Sequence, residues 1–186
     1  MIRIDIFSNT IETDRLNLRN IEQKDLLAFN EYCSQPDVGP RAGWSPHSSL
    51  EESKALLDIF ERRNLYYGLF LKDEDKLFGA VELMNCKREG FEGDVEVGYV
   101  MSHDYWGHGY MAEAVMAMEK LAFEVFHIKR LLCGYFKPNL QSKRVGEKCG
   151  FRYLETISGD FDYPGEAGKV DLILTSLNSE EYEKMI

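Results

Sequence analysis

The spacing of apolar positions changes period along the chain, and those changes predict a mixed α/β order. Residues 11–19 alternate around Leu16 and Leu18, the pattern of a half-buried strand. From Ile21 to Ser34 the apolar residues Leu26, Phe29, Tyr32 and Cys33 fall at helical spacing. The stretch QPDVGPRAGWSPHSS carries three prolines and two glycines and reads as a loop. A second helix starts at Ser48 or Ser49, because Ser48 with Glu51 and Ser49 with Glu52 both fit a capping box, and it runs to about Arg63. Strands follow at 65–72 and 77–84, joined by the hairpin turn DEDK, and then at 94–101 after a polar loop. A long helix over about 109–126 has Met111, Ala114, Val115, Met118, Leu121, Ala122 and Val125 on one stripe. A strand at 129–136, a short helix at 140–148 closed by Gly150, and strands at 151–157 and 170–175 complete the chain.

This order predicts an α/β fold: a mixed, mostly antiparallel sheet of six to seven strands with about four helices. The strand–helix–strand crossover in the middle places one parallel pair inside that sheet. No internal repeat or linker divides the sequence, so a single domain over 1–186 is expected.

Charge narrows the functional classes. The net charge of −10 argues against nucleic-acid binding, which depends on neutralising phosphates, and leans toward cationic partners such as amines. The first ten residues include Asp5 and lack an apolar signal core, and no run reaches the roughly 18–20 apolar residues of a membrane span. Cys33, Cys86, Cys133 and Cys149 are irregularly spaced, which suits reduced, packed thiols and a cytoplasmic protein. His47, His103, His108 and His127 show no metal-ligand spacing, so no metal is expected.

The chemistry concentrates in YWGHGYMAEA, residues 105–114. Gly107 and Gly109 stand between a strand and a helix, where glycine permits unusual dihedrals and close approach of a ligand. The first helix amides have no internal partner and the helix dipole adds positive charge, so a phosphate or pyrophosphate is the natural occupant. A Walker loop is absent. Gly107, Gly109 and Ala112 satisfy the dinucleotide pattern G-x-G-x-x-A, but the next strand ends in Phe136, Lys137 and Pro138 rather than in the ribose-binding acid. CoA is the third reading.

Three segments together resemble the GNAT N-acetyltransferase superfamily, and within it the branch of ribosomal-protein N-terminal acetyltransferases. They are the opening T-x-R-L-x-L-R on Thr13, Arg15, Leu16, Leu18 and Arg19; EVGYVMSHDYWGHGYMAEA; and the N-x-x-S-x-x-V-x-E-K-x-G-F segment from Asn139 and Ser142 through Val145, Glu147, Lys148 and Gly150 to Phe151. The similarity spans nearly the whole chain. The family's loop Q/R-x-x-G-x-G/A falls on Trp106, Gly107, His108, Gly109, Tyr110 and Met111, with Trp106 in place of Gln or Arg and Met111 in place of a small residue.

The resemblance implies acetyl transfer from acetyl-CoA to an amine in a ternary complex, by a monomer or homodimer. The acceptor would be a protein N-terminus or a small-molecule amine. The resemblance places CoA against Val100, Met101, the loop from Trp106 to Met111, Asn139 and Ser142. It further implies that the strands at 94–101 and 130–136 splay around the pantetheine, and that a bulge near Tyr99–Met101 frees an amide for the acetyl carbonyl. A lysine-like amine is only about 0.04% neutral at pH 7, so a base is needed. Glu96, which faces away from Val95 and Val97, is the candidate, and Asp160 and Asp162 are alternatives. Ser142 is the candidate proton donor to the departing thiolate, with Tyr135 a second choice, and Asn139 would bond the pantetheine or carbonyl region. Trp44 is placed on the acceptor side. Two other readings fit the sequence: a non-catalytic acyl-CoA-binding or sensing module on the same fold, and a dinucleotide-dependent oxidoreductase.

Overall fold

A computed structural model describes residues 3–5, 10–164 and 166–186, and side chains from residue 10 onward except those of 160 and 165. Its strands are β1 (Arg3–Asp5), β2 (Thr10–Glu12), β3 (Leu16–Arg19), β4 (Tyr66–Leu71), β5 (Gly79–Asn85), β6 (Val95–Met101), β7 (Arg130–Phe136), β8 (Arg152–Phe161) and β9 (Val170–Asn178). They form one nine-stranded sheet in the order β1-β2-β3-β4-β5-β6-β7-β9-β8. The helices are α1 (Leu26–Cys33), α2 (Leu50–Phe60), α3 (Tyr110–Lys120, followed by a π turn over Leu121–Val125), α4 (Leu140–Lys148) and α5 (Ser179–Glu183). No helix among the described residues is long and apolar enough to cross a membrane.

The sheet is larger than the periodicity predicts, and the reasons are local. The segment 11–19 is two strands, because the Thr13 hydroxyl accepts the Leu16 amide at 3.0 Å and turns the chain between β2 and β3. β1 then pairs with β2. β8 continues to Phe161, into the stretch expected to be loop. The fifth helix rests on a capping box between Asn178 and Glu181 at the end of β9. Ser49 caps α2, accepting the Glu52 amide at 3.1 Å, while the Glu52 carboxylate returns to the Ser48 amide at 2.8 Å.

Every strand pair is antiparallel except β6 and β7, which α3 connects as a crossover. That pair is joined only at Val95–Leu131 and Glu96–Leu132. Beyond Glu96 the strands diverge, and α4 follows the far end of β7. The expected bulge in β6 is absent: β5 and β6 stay in one unbroken register from Gly79–Met101 to Asn85–Val95. The splay itself leaves the β7-facing edge of β6 unpaired from Val97 to Met101, so free backbone groups arise there without a bulge.

Strand alternation sorts the two faces of the sheet. Val81, Leu83, Val97, Tyr99 and Met101 face α3, where Ala114, Val115, Ala117 and Met118 are fully buried. Ala80 and Val100 face α1 and α2, with Phe29, Tyr32, Leu57 and Tyr66. Glu82 and Glu96 share this second face, since each is displaced by an even number of positions from Ala80 or Val100. All four cysteines are buried and unpaired, and burial pushes the Cys33 and Cys133 thiols up to about 12.

Candidate active site

A cleft of about 890 Å³ passes through the gap between β6 and β7. Its walls come from both faces of the sheet: Gly107, Met111, Ser142 and Val145 from the α3–α4 side, and Tyr32, Phe60, Tyr66 and Glu82 from the α1–α2 side. A molecule lying in the gap therefore meets two different surfaces, one at each end.

The glycine turn forms the α3 end. Gly107 (φ 83°) and Gly109 (φ 80°) are both left-handed, and Gly109 is the residue that caps α3. A Cβ on Gly107 would meet nothing within 4 Å, so the turn opens onto free space in front of the unpaired amides of the helix start. The opening motif holds this turn from behind. The Glu113 carboxylate, in the first turn of α3, accepts the Thr13 hydroxyl at 2.6 Å, the Arg15 amide at 2.8 Å and the Arg15 Nε at 2.7 Å. Arg15 also donates to the His108 carbonyl at 2.9 Å and lies over the Tyr110 ring. Burial alone would raise the Glu113 carboxyl, but these donors outweigh it and hold the group below the usual carboxylate range. The thiol of Cys149, at the end of α4, reaches the Ala112 carbonyl at 3.5 Å. Arg144 and Lys148, one turn apart on α4, line the cleft.

At the centre of the gap, Asn139 caps α4. Its Oδ1 accepts the Ser142 amide at 3.2 Å, and its Nδ2 donates to the Arg41 carbonyl at 3.2 Å. The Ser142 hydroxyl lies 2.9 Å from the Tyr99 hydroxyl, which also donates to the Ser142 carbonyl at 3.2 Å. Burial raises the Tyr99 phenol well above its ordinary value, so it stays protonated.

On the α1–α2 side, Glu96 occupies the last paired position before the splay. Its Oε1 accepts from Arg88 at 3.1 Å. Gly134 opposite is a close approach: a Cβ there would lie 3.4 Å from that same oxygen. Glu82, two positions along on β5, pairs with Arg63 at 3.1 Å. Burial pushes its carboxyl up, and the Arg63 charge only partly offsets this.

Val100, Met101, Trp106, Gly107, Gly109, Met111, Asn139, Ser142 and Glu96 all line the one cleft, as do Tyr135 and Trp44. Met111 lines the cleft while packed in the α3 core at 4% exposure. His108 and Tyr110 stack on each other instead of lining the cleft, and His108 is exposed. Asp162 is not brought to the cleft: it is exposed and paired with Lys169 at 2.8 Å. The side chain of Asp160 lies outside the described residues. Glu82, Arg41 and Arg88 are cleft residues outside the motifs, whereas Tyr99, Arg144 and Lys148 lie inside them without a side-chain role assigned there.

Similarity to known proteins agrees with this geometry. A family model for the acetyltransferase (GNAT) domain matches residues 15–152. The chain is 24% identical over 151 residues to the [ribosomal protein uS5]-alanine N-acetyltransferase of Escherichia coli, covering 76% of this chain and 77% of that one. A GNAT-family acetyltransferase structure from Bacillus anthracis superposes with a TM-score of 0.79 at 26% identity, covering 92% of this chain and 99% of that chain. The spermidine N-acetyltransferase of Vibrio cholerae, solved in complex with CoA and spermine, has the same fold, with a TM-score of 0.73 at 18% identity and coverage of 92% and 99%. A sheet that splays at Glu96, a left-handed glycine turn opening α3 and a family match over most of the chain converge on one assignment: the chain belongs to the GNAT family and is an N-acetyltransferase.

Proposed function

We propose that the acyl donor is acetyl-CoA and that the acceptor is a primary amine, joined in a single ternary complex inside the cleft. The observation that carries this reading is the gap between β6 and β7. It has a phosphate-type turn on one side and two glutamates on the other, with a serine–tyrosine hydroxyl pair between them.

The α3 amides, with Arg144 and Lys148, would take the pyrophosphate end of the donor. The unpaired edge of β6 would donate a backbone N–H to the acetyl carbonyl as negative charge develops on its oxygen. Glu96 would accept the proton of the attacking amine, with Arg88 holding the carboxylate in position. The C–N bond forms, the C–S bond breaks, and the departing sulfur would take its proton from Ser142. The Tyr99 hydroxyl would hold Ser142 in place, and Ser142 would regain its proton from solvent as Glu96 releases the one it took. Glu82, paired with Arg63, would supply a second carboxylate acceptor for the amine's N–H groups.

Thermal shift separates the donors. Acetyl-CoA at 100 times its dissociation constant should add about 2.7 kcal/mol. NAD and NADP should add nothing, and stabilisation by NAD without CoA would overturn the donor assignment. Thiol release from acetyl-CoA against a panel of amines then tests transfer. Glu96→Gln and Ser142→Ala should each lower kcat by about 10²–10⁴-fold. Full turnover in both variants would show that other groups move the protons.

A further inference from the structure

The charges inside the cleft are opposite to those of the whole molecule. The chain carries −10 overall, yet the charged residues lining the cleft are Arg41, Arg63, Arg88, Arg144 and Lys148 against only Glu82 and Glu96. Arg63 is matched by Glu82 and Arg88 by Glu96, each at 3.1 Å. Arg144 and Lys148 lie on α4, whose end meets the first turn of α3 through Cys149 and Ala112, the side assigned to the donor. Arg41 is left over.

Arg41 comes from the turn Pro40–Ala42 between α1 and α2. Among the described residues it has no carboxylate partner. Its Nη1 meets only neutral oxygens, Gln141 Oε1 and the Tyr163 hydroxyl, both at 3.2 Å. Its Nε is buried and bonded to nothing. The guanidinium lies over the Trp106 ring at 5.4 Å and the Tyr163 ring at 5.9 Å. Its backbone is held as well: its carbonyl accepts from Asn139, and a Cβ on Gly43 (φ 89°) would touch the Phe136 ring at 3.3 Å. A planar guanidinium fixed between aromatic faces, with an unused donor, is built to receive an oxyanion through two parallel hydrogen bonds. Its backbone anchor, Asn139, is the residue that caps α4 at Ser142, and its Nη1 contact, Gln141, is the chain neighbour of Ser142.

We infer that Arg41 binds an oxyanion carried by the acceptor itself, so the substrate is an amine that also bears a carboxylate or phosphate, such as an amino acid. This rests on the donor and amine reading above. The acceptor's ammonium would meet Glu96 and Glu82 while its oxyanion meets Arg41, so both ends of a zwitterion are satisfied.

The test compares matched acceptors by thiol release from acetyl-CoA: the twenty standard amino acids, their amides, and aminoalkylphosphonates. At least one acid should exceed its amide in kcat/KM by about 10- to 100-fold, the range of a charge-assisted hydrogen bond. A phosphonate preferred over every carboxylate would identify phosphate as the oxyanion. Arg41→Gln should erase the preference by raising KM for the acid far more than for the amide, and Arg41→Lys should restore part of it. Acetyl-CoA should stabilise Arg41→Gln and the wild type equally. Amides used as well as acids, an equal loss for both in Arg41→Gln, or weaker acetyl-CoA binding in that variant would each overturn the inference. Calorimetry of the acids into the CoA complex covers an inactive panel, and no binding there also overturns it. Failure of the donor reading shows separately, as absent stabilisation of the wild type by acetyl-CoA.

Discussion

Replacing Glu113 by Gln tests whether the opening motif supports the phosphate turn. The carboxylate accepts three donors: the Thr13 hydroxyl, the Arg15 amide and Arg15 Nε. Glu113 is mostly buried, with 17% of its side chain exposed, whereas Arg15 is 47% exposed. The ion pair to Arg15 is therefore largely screened and contributes about 0–1 kcal/mol. The Thr13 and backbone bonds, made to a charged acceptor, contribute about 1.5–3 kcal/mol each. A glutamine oxygen keeps part of both, so a loss of about 2–4 kcal/mol is expected. The sign of the pH dependence is definite. The Glu113 pKa is depressed in the fold, so its contribution is present above the unfolded value of about 4.3 and disappears as pH falls through the folded value. Urea unfolding from pH 3 to 7 should show the wild type well above Glu113→Gln at neutral pH and the two converging in acid. Acetyl-CoA affinity should fall in parallel at pH 7, because the His108 carbonyl loses its tether when Arg15 is released. A variant within 0.5 kcal/mol of wild type at pH 7, or a gap that does not narrow in acid, would refute the clamp.

Two further substitutions probe neighbouring positions. Gly107→Ala places a Cβ at φ 83° with open space around it, so the cost is backbone strain of about 1–2 kcal/mol. Denaturant midpoint and acetyl-CoA titration should both register it. Glu119 lies in the α3 core at 2% exposure, its Oε1 without a partner among the described residues, and burial pushes its carboxyl up to about 8. A raised carboxyl pKa means the folded chain holds a proton that the unfolded chain has lost, so stability declines as pH rises from about 4.3 toward 8. Glu119→Gln should remove that slope and exceed the wild type in urea midpoint at pH 8; a wild type that does not weaken over this range would show that the carboxyl ionises freely in place.

What could be read in the sequence was what is local in the chain. The left-handed glycines, the Asn139 cap and the Ser142 position follow from short patterns, because each depends on neighbours within a few residues. Thr13 and Arg15 were legible as a motif but not as a clamp, since their partner Glu113 is about a hundred positions away. Arg41 gave no local signal at all: an arginine in a proline-rich loop looks like solvated surface until Tyr163 and Trp106 are folded over it. The overall acidity pointed toward amine partners but gave no sign of the five basic residues that line the cleft, because bulk charge averages over a surface that the substrate does not touch. Met111 shows the opposite case. As a motif position it conflicted with the small residue expected beside a pyrophosphate. As a member of the stripe with Ala114, Val115 and Met118 it had to point into the core, and it does. Helical phase therefore decides where a side chain goes more reliably than its column in a motif. The same reasoning holds on β6, where strict alternation puts Tyr99 with Val97 on the α3 face and Glu96 on the other. Both side chains reach the one cleft only because that strand loses its neighbour at Glu96.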